Sequence, residues 1–471
     1  MSEIVLLDTG SDFDNIKCIS VPFDDRVPAY YAISYRWGRH PEWKAQTPNY
    51  VASITSVSQG NLIKLCKLYR RKVRYLWIDV VCINQADKKH RKMAIKNMDK
   101  IYRKAKRIIA VPDLCYCNEY PLMEDVTKED IQAGLIKIRR ECDYRIWGSD
   151  FTRSEGIPLD LGFRFDDYNL PVETDLRFEE DIILRDYVNL KERMGNGSKG
   201  KQFVYDVLNE WAERAWVVSE RIIGVNEHKL LIHILRSNTV AIWDVFYTFD
   251  CIRWSLETNY GDLFVTICNS KSTKIIDRLF AILPHTGYKD LVPKLVDEGA
   301  TADSEEDFKW LLFDILDEGG RDELLYYLFD KAWAYRDGEF GETNDCPHVL
   351  PLSLREDICL QALKDPREMA HRIEFEPTTT QGGRRALKCS CLFFYGYAPR
   401  LDGHFQLSDA KDGTEIFLCH GYDTGYYHDI HDRYHVYKCR KLNGFWKLVL
   451  STVLDRVGHL WRGHGDFLIF L

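Results

Sequence analysis

The sequence predicts an α/β protein with a parallel sheet in its first part, a helical middle region and a β-rich C-terminal module. Over residues 30–111, short apolar runs rich in aromatic and β-branched residues alternate with amphipathic stretches at helical spacing. Between about 238 and 340, apolar residues recur mostly at helical spacing, as in IIDRLFAIL and FKWLLFDILDEGGRDELLYYLFDKAW, with Gly319-Gly320 as the expected break. From about 346 onward the segments become short, aromatic and bounded by Gly, Asp or Asn. The expected division is 1–237 for the α/β domain, 238–345 for the helical region and 346–471 for the β-rich module.

Within the first part, YYAISYRW at Tyr30 to Trp37 reads as a strand ending at Gly38. Leu62, Leu65, Cys66 and Tyr69 mark a helical stripe, and RYLWIDVV at Arg74 to Val81 reads as a strand buried on both faces. After the loop CINQA, Asp87 is placed to cap a helix whose inner side carries Ala94, Met98, Ile101 and Ala105. RIIAV at Arg107 to Val111, stopped by Pro112, is a third strand. Strand, helix, strand, helix, strand is the order of a doubly wound parallel sheet. Residues 113–200 are polar and weakly periodic and read as an insertion, after which a helix returns to the sheet.

Bulk properties narrow the function class. With 471 residues, 45% hydrophobic and 29% charged, the chain is globular and long enough for more than one domain. The net charge of −8 argues against a generally basic nucleic-acid binder. The N-terminus lacks a basic region followed by an apolar core, and no apolar run is long enough to span a bilayer. Fourteen scattered cysteines without a regular framework suit a reducing compartment, so a cytoplasmic location is expected.

The most informative stretch is RAWVVSERIIG from Arg214 to Gly224. Trp216 and Glu220 are four residues apart and share a helix face with Glu213, while Leu208, Trp211, Ala215, Val218 and Ile222 form the apolar stripe beside it. On spacing alone, a solvated acid next to a packed indole is the simpler reading.

Three elements together change that reading: YAISYRWG at Tyr31 to Gly38, LWIDVVCINQADKKHRKMAIKNMDKIYRKAKRI at Leu76 to Ile108, and ERAWVVSER at Glu213 to Arg221. In content and order they resemble the fungal heterokaryon-incompatibility (HET) domain family, and DRLFAIL at Asp277 to Leu283 resembles the element that follows the domain. The resemblance covers the first 225 residues or so and leaves the C-terminal module without a match. It implies a flavodoxin-like sheet related to Toll/interleukin-1 receptor (TIR) domains. It also implies NAD⁺ as substrate rather than cofactor, cleaved with Glu220 of the W-x-x-x-E pair Trp216/Glu220, and activation by self-association or a protein partner. Members of the family usually carry Gln before this acid, where this chain has Ser219.

The chemistry suits a lone carboxylate. Cleavage of the nicotinamide–ribose bond passes through an oxocarbenium-like state, and nicotinamide leaves as a neutral molecule, so no second acid is needed to protonate it. Ligands of open α/β sheets bind at the carboxyl ends of the strands. The expected binding residues are therefore Ser34, Tyr35, Arg36, Trp37 and Gly38 after the first strand, and Asp79, Asn84 and Gln85 after the second. Arg36 suits a diphosphate clamp, Gly38 close backbone approach, Tyr35 or Trp37 ring stacking, and Asp79, Asn84 and Gln85 ribose or amide contacts. For Asp79, hydrogen bonding that holds the loop is the competing role.

Other patterns carry less. GNGSKGK at Gly195 to Lys201 lacks both the Ser or Thr and the preceding strand of a phosphate-binding P-loop and reads as a linker. Lys88 to Arg107 holds ten Lys or Arg against Asp99, and the ladder Lys88, Lys92, Lys96, Lys100, Lys104 reads as a solvated helix face. Cys389, Cys391, Cys419, His420, His428, His431, His435 and Cys439 are spaced too irregularly for a standard zinc site, and no metal is assigned. No G-x-S-x-G motif of a serine hydrolase occurs.

Overall fold

A computed structural model describes residues 3–116, 126–147, 198–242, 260–330, 348–355, 375–395, 410–422, 433–455 and 461–471. The chain divides into two compact units, Met1–Asp303 and Ser304–Leu471, so the stretch read as a helical region at 238–345 is shared between them.

The first unit is built on a seven-stranded mixed sheet. Its N-terminal hairpin, β1 (Glu3–Asp8) and β2 (Cys18–Pro22), is antiparallel, and β1 also pairs antiparallel with β6 (Tyr75–Trp77). Next come β3 (Tyr30–Tyr35), the small β4–β5 ribbon (Trp43–Gln46, Val51–Ile54) and helix α1 (Gln59–Tyr69). After β6 a short helix α2 (Asp79–Cys82) leads to α3 (Lys88–Lys104) and β7 (Arg107–Val111). β3 runs parallel to both β6 and β7. The chain continues through α4 (Lys128–Trp147), α5 (Ser198–Ala212) and α6 (Ala215–Asn226) to β8 (Leu230–Ile234), parallel to β7, and the antiparallel edge strand β9 (Thr239–Ile242). Across the sheet the order is β2-β1-β6-β3-β7-β8-β9. From β3 the chain first steps to one side and then to the other, so the connection order reverses at β3.

Every residue of β3, β6 and β8 is buried, as expected of parallel strands covered on both faces. Asp87 caps α3 by accepting from Lys89 N at 2.8 Å, and Ala94 and Ile101 enter the core as the spacing predicts. RYLWIDVV is a strand only over Tyr75–Trp77. Asp79 Oδ1 accepts from Val80 N at 2.7 Å and starts the α2 turn, so Asp79 does not lie mid-strand. RAWVVSERIIG is likewise not continuous with the helix before it. The backbone breaks at Glu213–Arg214, where Lys271 N donates to Glu213 O (2.6 Å) and Ala215 N donates to Lys271 O (3.0 Å).

Part of the expected insertion at 113–200 is the helix α4, while 117–125 and 148–197 lie outside the described residues. The GNGSKGK segment is helical from Ser198, and its Gly195–Gly197 also falls outside them. Gly134 on α4 and Gly200 on α5 make this helix pair possible, because a Cβ at Gly200 would overlap the Asp130 carbonyl and one at Gly134 the Lys201 amide. Gly200→Ala gains helix propensity of about 1 kcal/mol yet is expected to lower stability by about 2 kcal/mol through this overlap. Urea unfolding checks this, and an unchanged midpoint would mean that the helices separate at no cost.

Three cations of α3 are engaged within the unit. Lys96 pairs with Asp297 of a following helix (Leu291–Glu298), Arg103 Nη1 with Glu227 Oε1 at 2.8 Å, and Lys104 Nζ with Asp25 Oδ1 at 2.8 Å.

The second unit begins with helices Glu305–Ile315 and Glu318–Asp330. The break between them falls at Leu316-Asp317, before Gly319-Gly320, because Asp317 Oδ1 accepts from Gly320 N at 2.8 Å and opens the second helix. Seven antiparallel strands follow: β10 (His348–Arg355), β11 (Glu376–Thr379), β12 (Arg385–Tyr395), β13 (Glu415–Tyr422), β14 (Arg433–Leu442), β15 (Phe445–Asp455) and β16 (Trp461–Phe470). Their ladder returns on itself: β12 pairs β13, β13 pairs β14, and so on through β15, β10 and β16 back to β12, with β11 appended outside the ring. The β-rich module is thus a closed barrel of strands. Leu387, Cys389 and Cys391 alternate into its core with Cys419 and Cys439, and burial holds the Cys439 thiol far above its ordinary range. Among the described residues no group of three or more His, Cys, Asp or Glu is arranged to hold a metal, while His428, His431 and the side chains of His420 and His435 lie outside what is described.

Candidate functional site

The site gathers at the carboxyl ends of β3 and β6, where the connection order reverses. Ser34 and Tyr35 close β3 and are both buried. Ser34 Oγ accepts from the indole of Trp211, a fully buried residue of α5, at 2.8 Å. Tyr35 OH donates to Asp79 Oδ1 at 3.0 Å, and the indole of Trp37 donates to Asp79 Oδ2, also at 3.0 Å. The Trp37 ring is 45% exposed, so its nitrogen is anchored while its face is free to stack. Arg214, the residue before α6, donates from Nη1 to the Tyr35 carbonyl at 2.5 Å and projects its charge towards both Asp79 and Glu220.

Glu220 is at the centre of this group and is only 7% exposed. Its Oε1 accepts from Tyr102 OH at 2.7 Å, while Oε2 is buried without a hydrogen-bond partner among the described residues. Burial pushes the Glu220 carboxyl up to about 7, against the opposing pull of Ser34, Tyr102 and Arg214 and with a contribution from the nearby Asp79 charge. Burial also raises Asp79, opposed by Tyr35, Arg214 and Trp37. Two buried acids are therefore raised in one cluster, Asp79 adding to the rise at Glu220 and the Arg214 charge opposing it at both.

Several residues proposed from the sequence serve other contacts. Arg36 turns to Glu210 (3.0 Å) and Tyr116 OH (3.0 Å), stacking on the Tyr116 ring, so it is committed at the rim and its partners do not include Glu220. Gly38 is required by packing, since a Cβ there would lie 2.7 Å from Cys115 Cβ. Asn84 Oδ1 accepts from Ala86 N at 3.1 Å and Gln85 Nε2 reaches the Asp79 carbonyl at 3.5 Å, so both hold their own loop. Trp216 is directed to Asp277, whose carboxyl it hydrogen-bonds, and Glu213 pairs with Lys271 at 2.5 Å. The face expected to unite Glu213, Trp216 and Glu220 is therefore divided, with Glu220 alone in the buried cluster.

Residues 30–220 match the family model described as heterokaryon incompatibility protein (HET). They form a HET domain. No curated protein and no solved structure matches the chain. The HET match begins at the first residue of β3 and ends on Glu220, so the β1–β2 hairpin and β8 lie outside it.

The helix carrying Glu220 is also held from downstream of the HET match. Ser219 Oγ lies 2.7 Å from His285 Nε2, and Trp216 meets Asp277. Burial lowers His285 to about 4, so the ring is neutral at physiological pH. Ser219 is thus an attachment point for the 277–285 element. Arg214 and Tyr102 escaped the sequence reading. Tyr102 is one helical turn after Met98 and looks like another core aromatic, and Arg214 looks like a helix-interior cation.

Proposed function

We propose that the HET domain hydrolyses NAD⁺ to nicotinamide and ADP-ribose, with Glu220 as the carboxylate that faces the anomeric carbon. The observation that carries this reading is Glu220 itself: a buried carboxyl raised to about 7, with one oxygen unpartnered, at the strand ends where α/β sheets bind ligands. The order β6-β3-β7-β8 of the parallel strands corresponds to second-first-third-fourth in the chain, the flavodoxin-like order, which supports a relation to TIR domains.

In this reaction the bond between ribose C1′ and the pyridinium nitrogen breaks. Its electron pair goes to the nitrogen, nicotinamide leaves neutral, and water adds to C1′ and loses a proton. The Glu220 carboxylate stabilises the developing positive charge and binds the ribose hydroxyls. Arg214 takes the diphosphate role expected of Arg36, and the open face of Trp37 stacks on a ring of the dinucleotide. Because unregulated loss of NAD⁺ is toxic, the activity would be switched on by self-association or a protein partner and would end in cell death as the outcome of non-self recognition.

The test is nicotinamide release by the full chain at high concentration, measured from about pH 5 to about pH 9. The ionised carboxylate is the active form, so kcat/KM should rise through about pH 7 and then level off, and Glu220→Gln should abolish release. Equal release by the wild type and the variant would end the enzymatic reading. The deep burial of Glu220 favours one alternative, a non-enzymatic assembly domain in which the Tyr102–Glu220 bond fixes α6 against α3. Cell killing would then survive Glu220→Gln.

A further inference from the structure

The opposite edge of the same sheet carries a pocket. It lies where α1 ends and β6 begins, beside the end of β1, and so at the amino-terminal edge of the parallel strands. Its volume is about 410 Å³, within the size range of small-molecule sites. Arg70, Arg71, Lys72 and Arg74 line it together with a single acid, Asp8.

The two loops that form it are stapled together. Thr9, 2% exposed, donates from its amide to the Arg74 carbonyl (2.9 Å) and from its hydroxyl to the carbonyls of Val73 (3.1 Å) and Arg74 (3.0 Å). Arg70 Nε returns to the Thr9 carbonyl at 3.1 Å, which fixes the stem of that guanidinium and directs its fork. The one acid is already occupied: Asp8 Oδ1 accepts from Gly10 N at 2.7 Å, and Oδ2 meets Arg74 at 3.5 Å with the Arg74 side chain 74% exposed. Arg71 has no side-chain partner among the described residues. The partial negative charge at the end of α1 accounts for a cation in its last turn, Lys67. It does not account for the four cations Arg70, Arg71, Lys72 and Arg74 beyond the helix end in a chain of net charge −8. Like charges concentrated on a rigid backbone are relieved by one multivalent anion, and guanidinium forks match phosphate oxygens in pairs.

We propose that this pocket binds a ligand bearing two or more phosphate groups, independently of the Glu220 site. The lining comes from two short loops, Asp8–Gly10 and Arg70–Arg74, a span that fits a phosphorylated head group or small polyphosphate rather than an extended nucleic-acid strand.

The experiment is calorimetric titration of the full chain with inorganic pyrophosphate and with inositol hexakisphosphate. Co-sedimentation with phosphatidylcholine vesicles, with and without a phosphoinositide bisphosphate, runs alongside. Wild type should bind with an affinity that falls as salt rises. Arg71→Gln/Arg74→Gln, at exposed positions, should bind at least about tenfold more weakly with unchanged melting temperature, while Glu220→Gln and the exposed-helix control Lys88→Gln/Lys89→Gln should bind like wild type. Arg71→Gln alone, expected to weaken binding by a smaller factor, serves if the double variant melts early. Binding to free phosphates only identifies a soluble ligand, and binding strengthened on phosphoinositide vesicles identifies a lipid head group; both support the pocket. No binding by any probe, equal loss in the Lys88/Lys89 control, or tighter binding of an oligonucleotide that pyrophosphate does not displace would overturn it. Because Glu220→Gln is expected to bind normally, the outcome is separate from that of the hydrolase reading.

Discussion

Glu220→Gln is expected to make the protein more stable at pH 8 and, on the proposed hydrolase reading, to abolish nicotinamide release. In the folded chain the carboxyl is raised from 4.5 to about 7, so folding favours the protonated form. For a group raised in this way, the stabilising contribution is complete below the unfolded value and is lost as pH rises through the folded one. Wild type should therefore lose stability between about pH 4.5 and about pH 7, by an amount on the order of 3 kcal/mol. Glutamine keeps an oxygen to accept from Tyr102 and carries no charge. The two proteins should melt together near pH 4 and diverge by several degrees at pH 8, with the variant higher. A variant that melts lower than wild type at pH 8 would mean that the Glu220 charge is net stabilising, held by Arg214, and would remove the case for a strained functional acid.

Trp211→Ala should be the most damaging single substitution in the HET domain. The indole is fully buried and its nitrogen binds Ser34 Oγ at 2.8 Å. Its loss leaves a large cavity under the end of β3 and should cost about 3–5 kcal/mol. Trp211→Phe fills most of that space, removes only the donor to Ser34 and should cost about 1–2 kcal/mol. Urea unfolding of the pair separates packing from the hydrogen bond. A loss below about 1 kcal/mol for the alanine variant would show that the site's floor is not built on this ring.

The parallel core could be read where burial leaves a local mark. YYAISY and RIIAV are apolar at nearly every position, and both are strands within two residues of their apolar runs. LLIHI is just as apolar and forms β8, but it directly follows a helix and gives no alternation to separate it from a helix end. RYLWIDVV looked like one long strand because a period cannot show that the Asp79 side chain will turn the backbone back on itself. The site divides along the same line. Glu220, Asp79 and the end of β3 could be proposed from local motifs. Tyr102 and Arg214 enter only through contacts between residues more than a hundred positions apart. Asn84, Gln85 and Arg36 have the chemistry to bind a nucleotide but are used by their own loop or by Glu210. Residue type alone does not reveal which demand prevails.

The strand from Trp461 to Phe470 is paired on both sides, with β10 on one flank and β12 on the other. During synthesis, β10 and β12 through β15 emerge first and wait with two open flanks until this strand leaves the ribosome. Nascent chains paused before it present long, apolar, hydrogen-bond-hungry borders such as ALKCSCLFFY. A premature stop anywhere in that stretch should therefore yield inclusion bodies or a target for quality control rather than a shortened but soluble product.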